Sequence, residues 1–302
     1  MQEPTVFEAH ASYVLDLLFA HDSQTLISAG MDNVVKLWSV PDWRPVRTLE
    51  GHANSVNSIA LSPDGNVLAT GSTDTTVRLW AFPGGQVLHT LQDRKKVVAA
   101  VRISPDGRWV AAGSYGGRAK VWTLSGEDVT GIKASRQNLS AVAFSPDGKT
   151  LATAGLGESI SLWTLPAGEP VGTLSGHQIA VLSLAFIDGG HTLVSLGYEG
   201  RLKFWDTATW RETRTLRSEE SRVRGLALSP EERTAAISTE GKVQLWSIEN
   251  GAPSEWRSSK RNGALQAELA VGTKSVGGMA FSPDGRWLAV GAADRKVRVW
   301  AL

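Results

Sequence analysis

The sequence predicts an all-β fold: seven copies of one four-stranded antiparallel unit, closed into a ring. Three observations predict it. Seven tryptophans end near-identical phrases, VVKLW at Trp38, TVRLW at Trp80, RAKVW at Trp122, SISLW at Trp163, RLKFW at Trp205, KVQLW at Trp246 and KVRVW at Trp300. Their successive spacings are 42, 42, 41, 42, 41 and 54 residues. A second phrase stands 18 or 19 residues before each tryptophan: LSPDG from Leu61, ISPDG from Ile103, FSPDG from Phe144 and from Phe281. Looser copies are FAHDS from Phe19, FIDGG from Phe186 and LSPEE from Leu228. The third observation is an orphan: TVFEAH (Thr5 to His10) aligns with RTLEGH (Arg47 to His52), although no unit precedes it. A fixed period near 42 residues marks a repeat architecture, in which stacked neighbours cover the apolar faces that no unit buries alone.

Each element of the unit follows from local signals, and Ser55 to Leu91 serves as the example. SVNSIAL is a short strand, and Pro63-Asp64-Gly65 is a turn in which Pro sets φ and Gly supplies φ > 0. NVLATGS reads as a second strand and TTVRLWA as a third, after which Pro83-Gly84-Gly85 turns into a fourth, QVLHTL. Val77 and Leu79 share one face of the third strand, Arg78 and Trp80 the other. Large residues on both faces suit a sheet sandwiched between two others. Nothing reads as a helix of useful length.

The two recurring phrases, in register over the whole chain, resemble those of the WD-repeat (WD40) β-propellers. The family's Gly-His opening stands at Gly51-His52 and Gly176-His177, with Ala9-His10 as a near match, and its Trp-Asp pair is literal at Trp205-Asp206. The resemblance implies a single seven-bladed propeller over residues 1–302, with an N-terminal strand at about 4–9 completing the last blade and an extra loop at about 250–263. The SPDG-R-W-L-A phrasing is similar to that of bacterial members, where such rings are often joined to other modules. Met1 and the neat closure suit a complete unit, although a fragment of a longer protein stays open.

The family's blades carry a hydrogen-bonded tetrad of His, Ser or Thr, Asp and Trp. The matching residues are His10, Ser28, Asp32 and Trp38; His52, Thr70, Asp74 and Trp80; and His177, Ser195, Glu199 and Trp205, with Glu for Asp. A His, an acid and a hydroxyl could form a catalytic triad. Recurrence in three blades instead implies a structural role that satisfies buried polar groups. In the third blade Arg94, Ala112 and Gly116 occupy the slots, and in the seventh Gly272 and Val290 take two of them. Loops of the third, fourth, sixth and seventh blades are expected to be less tightly tethered.

Composition narrows the function classes. There are 31 basic and 30 acidic residues, for a formal charge of +1, so no global field draws nucleic acid or anionic membrane. The absence of cysteine excludes disulfides, thiolate metal sites and cysteine nucleophiles. His21, His89 and His191 lack metal-ligand spacing, and no phosphate loop, dinucleotide fingerprint or nucleophile elbow is present. No window reaches the roughly 18 apolar residues of a membrane helix. The expectation is a cytoplasmic, non-catalytic protein without cofactor or metal.

In the family, two recurring positions build the rim of the narrower face. One lies three residues after the His slot and reads Tyr13, Ser55, Val97, Asn138, Ala180, Arg222 and Ser275. The other precedes the Asp slot and reads Met31, Thr73, Tyr115, Leu156, Tyr198, Thr239 and Ala293. All three tyrosines of the chain fall in these places. Tyr and Arg are favoured at binding hot spots. The expected site is therefore a peptide- or protein-binding surface of Tyr13, Met31, Tyr115, Leu156, Tyr198 and Arg222, with the basic run Arg94, Lys95 and Lys96 beside it. The plainer reading is that each tyrosine packs over the turn beside it. A second contact site is the loop NGAPSEWRSSKRNG, with Trp256, Arg257, Lys260 and Arg261. The leading expectation is a protein-interaction scaffold, a monomeric ring or part of a larger assembly. The alternative is a propeller that associates with nucleic acid or takes an acidic or phosphorylated peptide. Trp43 and Trp210 are expected to pack at blade edges, and Trp109 and Trp287 to be structural.

Overall fold

The computed structural model describes residues 3–218, 220, 222–249 and 265–302. Among them lie seven four-stranded antiparallel sheets, and the fold class is the all-β seven-bladed propeller. A single-turn 3-10 segment at Asp188–Gly190 is the one helical element among the described residues. No helix among them is long and apolar enough to cross a membrane.

The residues group into two compact units, Met1–Val56 with Leu216–Leu302, and Asn57–Thr215. The first holds blade 1 (Val14–Phe19, Thr25–Gly30, Val35–Ser39, Pro45–Leu49). It also holds blade 6 (Gly225–Leu228, Thr234–Ser238, Lys242–Ser247, Leu265–Ala270). Blade 7 joins Val276–Phe281, Trp287–Ala292 and Lys296–Ala301 to the N-terminal strand Thr5–Glu8. The second unit holds blades 2 to 5. Blade 2 comprises Val56–Leu61, Val67–Ser72, Thr76–Ala81 and Val87–Gln92. Blade 3 comprises Val98–Ile103, Trp109–Ser114, Arg118–Thr123 and Asp128–Lys133. Blade 4 comprises Leu139–Phe144, Thr150–Gly155, Ser159–Thr164 and Pro170–Ser175. Blade 5 comprises Val181–Ile187, Thr192–Gly197, Arg201–Asp206 and Arg211–Arg217.

The orphan strand does what its alignment predicts. Thr5–Glu8 pairs antiparallel with the third strand of blade 7, Phe7 opposite Val297, and completes that sheet. Phe7 then packs on Trp38 and Trp43 of blade 1, with ring centroids 4.9 and 6.2 Å apart, and Trp43 meets Trp287 edge-on at 5.4 Å. Blades 7 and 1 also approach closely at their first strands. A Cβ on Gly277 would stand 1.9 Å from the Val14 carbonyl oxygen, and one on Gly278 2.4 Å from the Asp16 Cα. Only glycine permits that backbone contact.

Within each unit the core lies between consecutive sheets, as the two-sided third strands require. Leu79, Leu91 and Val77 of blade 2 pack against Val98, Val101 and Trp122 of blade 3. Blade 3 in turn meets Leu139, Val142 and Leu151 of blade 4. Six of the seven repeat tryptophans are buried, Trp163 only partly. Replacing such a buried ring with alanine costs about 3–5 kcal/mol.

The Ser-x-Asp-Gly turns are built the same way in four blades. The hydroxyls of Ser62, Ser104, Ser145 and Ser282 donate to Asp64, Asp106, Asp147 and Asp284 at 2.5 to 2.6 Å. Each serine oxygen accepts the backbone N–H that opens the second strand, as from Val67 at 2.8 Å. The hydroxyl bond from Ser62 holds the Asp64 carboxyl below its ordinary range. This is why the phrase recurs: Ser and Asp close the turn and Gly supplies the positive φ, 72° at Gly65.

Candidate functional site

The two rim positions meet in blades 1, 3, 4, 5 and 7 because a backbone hydrogen bond joins them at the loop end. The N–H of Met31 donates to the Tyr13 carbonyl at 2.8 Å, Tyr115 to Val97 at 2.9 Å, Leu156 to Asn138 at 2.9 Å and Tyr198 to Ala180 at 2.8 Å. Ala293 donates to Ser275 in the same way. The residue that follows is a buried Val or Leu (Val14, Val98, Leu139, Val181, Val276), and a register shift comes directly after it. That bulge turns the lead-in residue away from the core.

Three apolar or aromatic side chains of the second unit stand out at this end: Tyr115 at 45% exposure, Leu156 at 56% and Ile179 at 48%. Tyr198 is half-buried. In the first unit Met31 is 46% exposed, Tyr13 is half-buried and Arg222 is exposed. Ile179 escapes the two-position pattern, because it lies one residue before the lead-in slot. Its signal is an apolar residue in a polar loop, two after His177.

Three of the fourteen rim positions are buried outright. Ser55 and Ala180 are buried, and Thr239 is fully so. In blade 6 the second–third strand hairpin is one residue shorter. Its register pairs Ile237 with Gln244, where blade 3 pairs Ala112 with Lys120. Counting back from Trp246 therefore lands one residue early, and Ile237, not Ala236, fills the hydroxyl slot. Thr239 closes the shortened hairpin, its N–H bonded to the Lys242 carbonyl at 2.9 Å.

The basic run is solvent-facing throughout: Arg94, Lys95 and Lys96 are all exposed. Arg94 occupies the sequence slot that holds a buried histidine in blades 1 and 5, yet it points outward. Arg94 and Lys95 both have φ of 47°, in the left-handed region. Asp93 does not neutralise them, because its carboxylate takes Arg118 at 2.9 Å. Lys96 reaches the Tyr115–Gly117 turn, its Cε 4.0 Å from where a Cβ on Gly116 would lie. The Gly116 N–H donates to the Asn138 side chain at 2.9 Å, which ties the blade 3 turn to blade 4. Arg136, also exposed, occupies the corresponding loop of blade 4.

Blades 3, 6 and 7, which have lost the tetrad, carry other polar pairs at their loops. Besides Asp93–Arg118 in blade 3, Asp294 takes both terminal nitrogens of Arg298 in blade 7, at 3.2 and 2.6 Å. In blade 6 Lys242 pairs with Glu220 at 2.8 Å and Glu268 at 2.9 Å. These carboxylates, Glu220 first, raise its pKa.

The tetrads of blades 1 and 5 form as the resemblance implies. His10 Nδ1 lies 2.8 Å from Asp32, its Nε2 2.8 Å from the Ser28 hydroxyl, and Trp38 Nε1 donates to that hydroxyl at 2.9 Å. His177, Glu199, Ser195 and Trp205 repeat the set at 2.7, 2.7 and 2.9 Å. In blade 2 Trp80 donates to Thr70 at 2.9 Å, and blade 4 keeps only the hydroxyl, Trp163 donating to Thr153 at 3.0 Å. Burial lowers the His10 pKa, against the raising influence of Asp32. Burial opposes ionisation of Glu199, but bonds from His177 and backbone N–H groups outweigh it and leave its pKa lowered. Ser28 and Ser195 are fully buried, so neither hydroxyl can meet a substrate.

Among the described residues no group of three or more His, Cys, Asp or Glu could hold a metal ion. Trp256, Arg257, Lys260 and Arg261 lie outside the described residues. Trp43 and Trp210 pack against neighbouring core clusters, as expected of edge residues.

A stretch of 110 residues is 28% identical to the target of rapamycin complex subunit wat1 of Schizosaccharomyces pombe, covering 36% of this chain and 32% of that protein. The target of rapamycin complex subunit LST8 of Bos taurus is 24% identical over 110 residues, 36% of this chain and 31% of LST8. Protein HIR1 of Yarrowia lipolytica is 37% identical over 92 residues, 26% of this chain and 9% of HIR1. The matched stretch thus spans about a third or less of each relative. These are fungal and mammalian proteins, and they lend the bacterial resemblance no support. Residues 264–301 match the model of the WD domain, G-beta repeat. Residues 13–260 match the model of the IFT122 first beta-propeller, and the chain belongs to that family of WD-repeat β-propellers.

Proposed function

We propose that this chain is a non-catalytic interaction scaffold that docks a peptide or protein segment on the loop ends of blades 3 to 5, over Tyr115, Leu156 and Tyr198. One observation carries the reading. Tyr115 and Leu156 hold about half of their surface in solvent while their own N–H groups are bonded to the lead-in residues. Side chains displayed on fixed backbone lose little freedom on binding, and aromatic anchors of this kind dominate interface energies. Met31 offers the same display in the other unit, its N–H bonded to Tyr13, and Arg222 is exposed there. Two relatives are by name subunits of a protein complex, which supports a protein partner. Against chemistry, the His, hydroxyl and acid sets are engaged with one another and shielded from solvent.

Affinity capture from lysate of the source organism, comparing wild type with a Tyr115→Ala/Leu156→Ala variant, tests the site. A protein retained by wild type and lost from an equally stable variant supports it. An identical catch from both would reduce these residues to turn packing and move the search to residues 250–263.

A further inference from the structure

We infer that the loop ends of blades 3 and 4 take an acidic peptide segment, its carboxylates over Lys95, Lys96 and Arg136 and an apolar side chain against Tyr115 and Leu156. The inference rests on the docking reading above and adds the chemistry of the occupant. Arg94, Lys95, Lys96 and Arg136 are all exposed, and none has an acidic partner among the described residues. The nearest acid in sequence, Asp93, is spent on Arg118. Two strand cations of the same unit are matched, Lys120 with Asp128 at 2.9 Å and Lys203 with Glu212 at 2.6 Å. The run is also strained. Two consecutive side-chain-bearing residues, Arg94 and Lys95, sit at φ of 47°, a conformation that costs each about 1–2 kcal/mol. Strain of this kind clusters at ligand clamps.

The surface is polar at one end and apolar at the other. Cations occupy the lead-ins of blades 3 and 4, whereas Leu156 and Ile179 occupy the blade 4 turn and the blade 5 lead-in, with Glu158 exposed beside Leu156. An acidic segment extended past Glu158 would meet like charge, so its acidic part must lie toward blade 3 and its apolar part toward blades 4 and 5. A peptide can carry both kinds of group within a few residues. A nucleic acid backbone gains from a longer run of cations than these four, and leaves Leu156 and Ile179 without a partner.

The test is selection from a randomised 12-residue peptide library displayed on phage, against immobilised protein, followed by titration of the most enriched synthetic peptide. The expected result is enrichment of peptides with several Asp or Glu beside an apolar residue, with affinity that falls as salt rises. The Lys95→Glu/Lys96→Glu variant should bind that peptide about four- to thirtyfold more weakly, the range for reversing two exposed ion pairs. Its melting temperature, matched to wild type, checks the fold. Neutral or basic peptides whose binding still depends on Leu156 would overturn the acidic assignment and leave the docking site standing. No enrichment over bare matrix would overturn both. If a 12-nucleotide single strand displaced the peptide at lower concentration than the peptide itself binds, the site would belong to nucleic acid.

Discussion

Blades 3 and 5 share one strand frame and differ in what fills its polar slots. In blade 5 His177, Ser195, Glu199 and Trp205 bond to one another and are almost wholly buried, so the lead-in loop is held from inside. In blade 3 the same slots hold Arg94, Ala112, Gly116 and Trp122. The loop there is held from outside, by Asp93–Arg118 and by the Gly116 bond to Asn138. Polar residues that serve the fold are turned inward, whereas those relieved of that duty face solvent. The comparison teaches that a slot freed from the tetrad can turn its side chain to solvent.

The contrast can be broken most forcefully at the His slot. His177→Ala leaves the Glu199 carboxylate, 8% exposed, without its cation-capable partner, and should destabilise by about 3–5 kcal/mol. Arg94→Ala at the same slot of blade 3 should stay within about 0.5 kcal/mol. Chemical denaturation of the two variants reads the difference, and equal losses would undo the inside–outside distinction.

A pH series sharpens it next, through blade 1, whose tetrad matches that of blade 5. Burial lowers the His10 pKa in the native state, so below about 6.5, the ordinary imidazole value, the unfolded chain binds a proton that the native state does not. Stability from this site is therefore complete above that value and declines as pH falls toward the lowered native pKa. Denaturation midpoints of wild type and His10→Asn should converge as the solution is acidified through that window.

A smaller effect separates the hydroxyl from the rest of the tetrad. Blade 4 keeps Thr153 alone, bonded to Trp163 at 3.0 Å, while Ala112 gives Trp122 no acceptor and lines a small cavity beside it. Thr153→Ala should cost about 1 kcal/mol and Ala112→Ser should gain about as much. Thermal unfolding of both tests whether one hydrogen bond is transferable between blades. The smallest expected change is at the surface: Tyr115→Ala should leave stability within about 0.5 kcal/mol, because the bond to Val97 uses the backbone. A larger loss in the melt would make Tyr115 a packing residue.

Much of this was legible in residues. Trp spacing, the Ser-x-Asp-Gly turns and the orphan TVFEAH strand located the blades and the completion of the last one, because each is a short-range signal repeated in phase. The tetrads of blades 1 and 5 were legible for the same reason. Thr239 was misplaced because a one-residue deletion in a hairpin is invisible to counting, and only strand pairing reveals which residue meets Gln244. Ile179 and Arg136 were missed because exposure in a loop is decided by neighbouring blades and leaves no periodic trace.

By itself the sequence determined the number of blades, their strand order, the turn chemistry and the polar sets that recur, since local propensity and a fixed period suffice for these. Tertiary structure alone decided which repeat positions face solvent. Arg94 and His177 stand in equivalent slots, yet one is exposed and the other buried, because only the histidine finds a carboxylate and a hydroxyl waiting inside its blade. A slot in a repeat is a place in the chain, whereas a surface depends on what the adjoining strands leave uncovered.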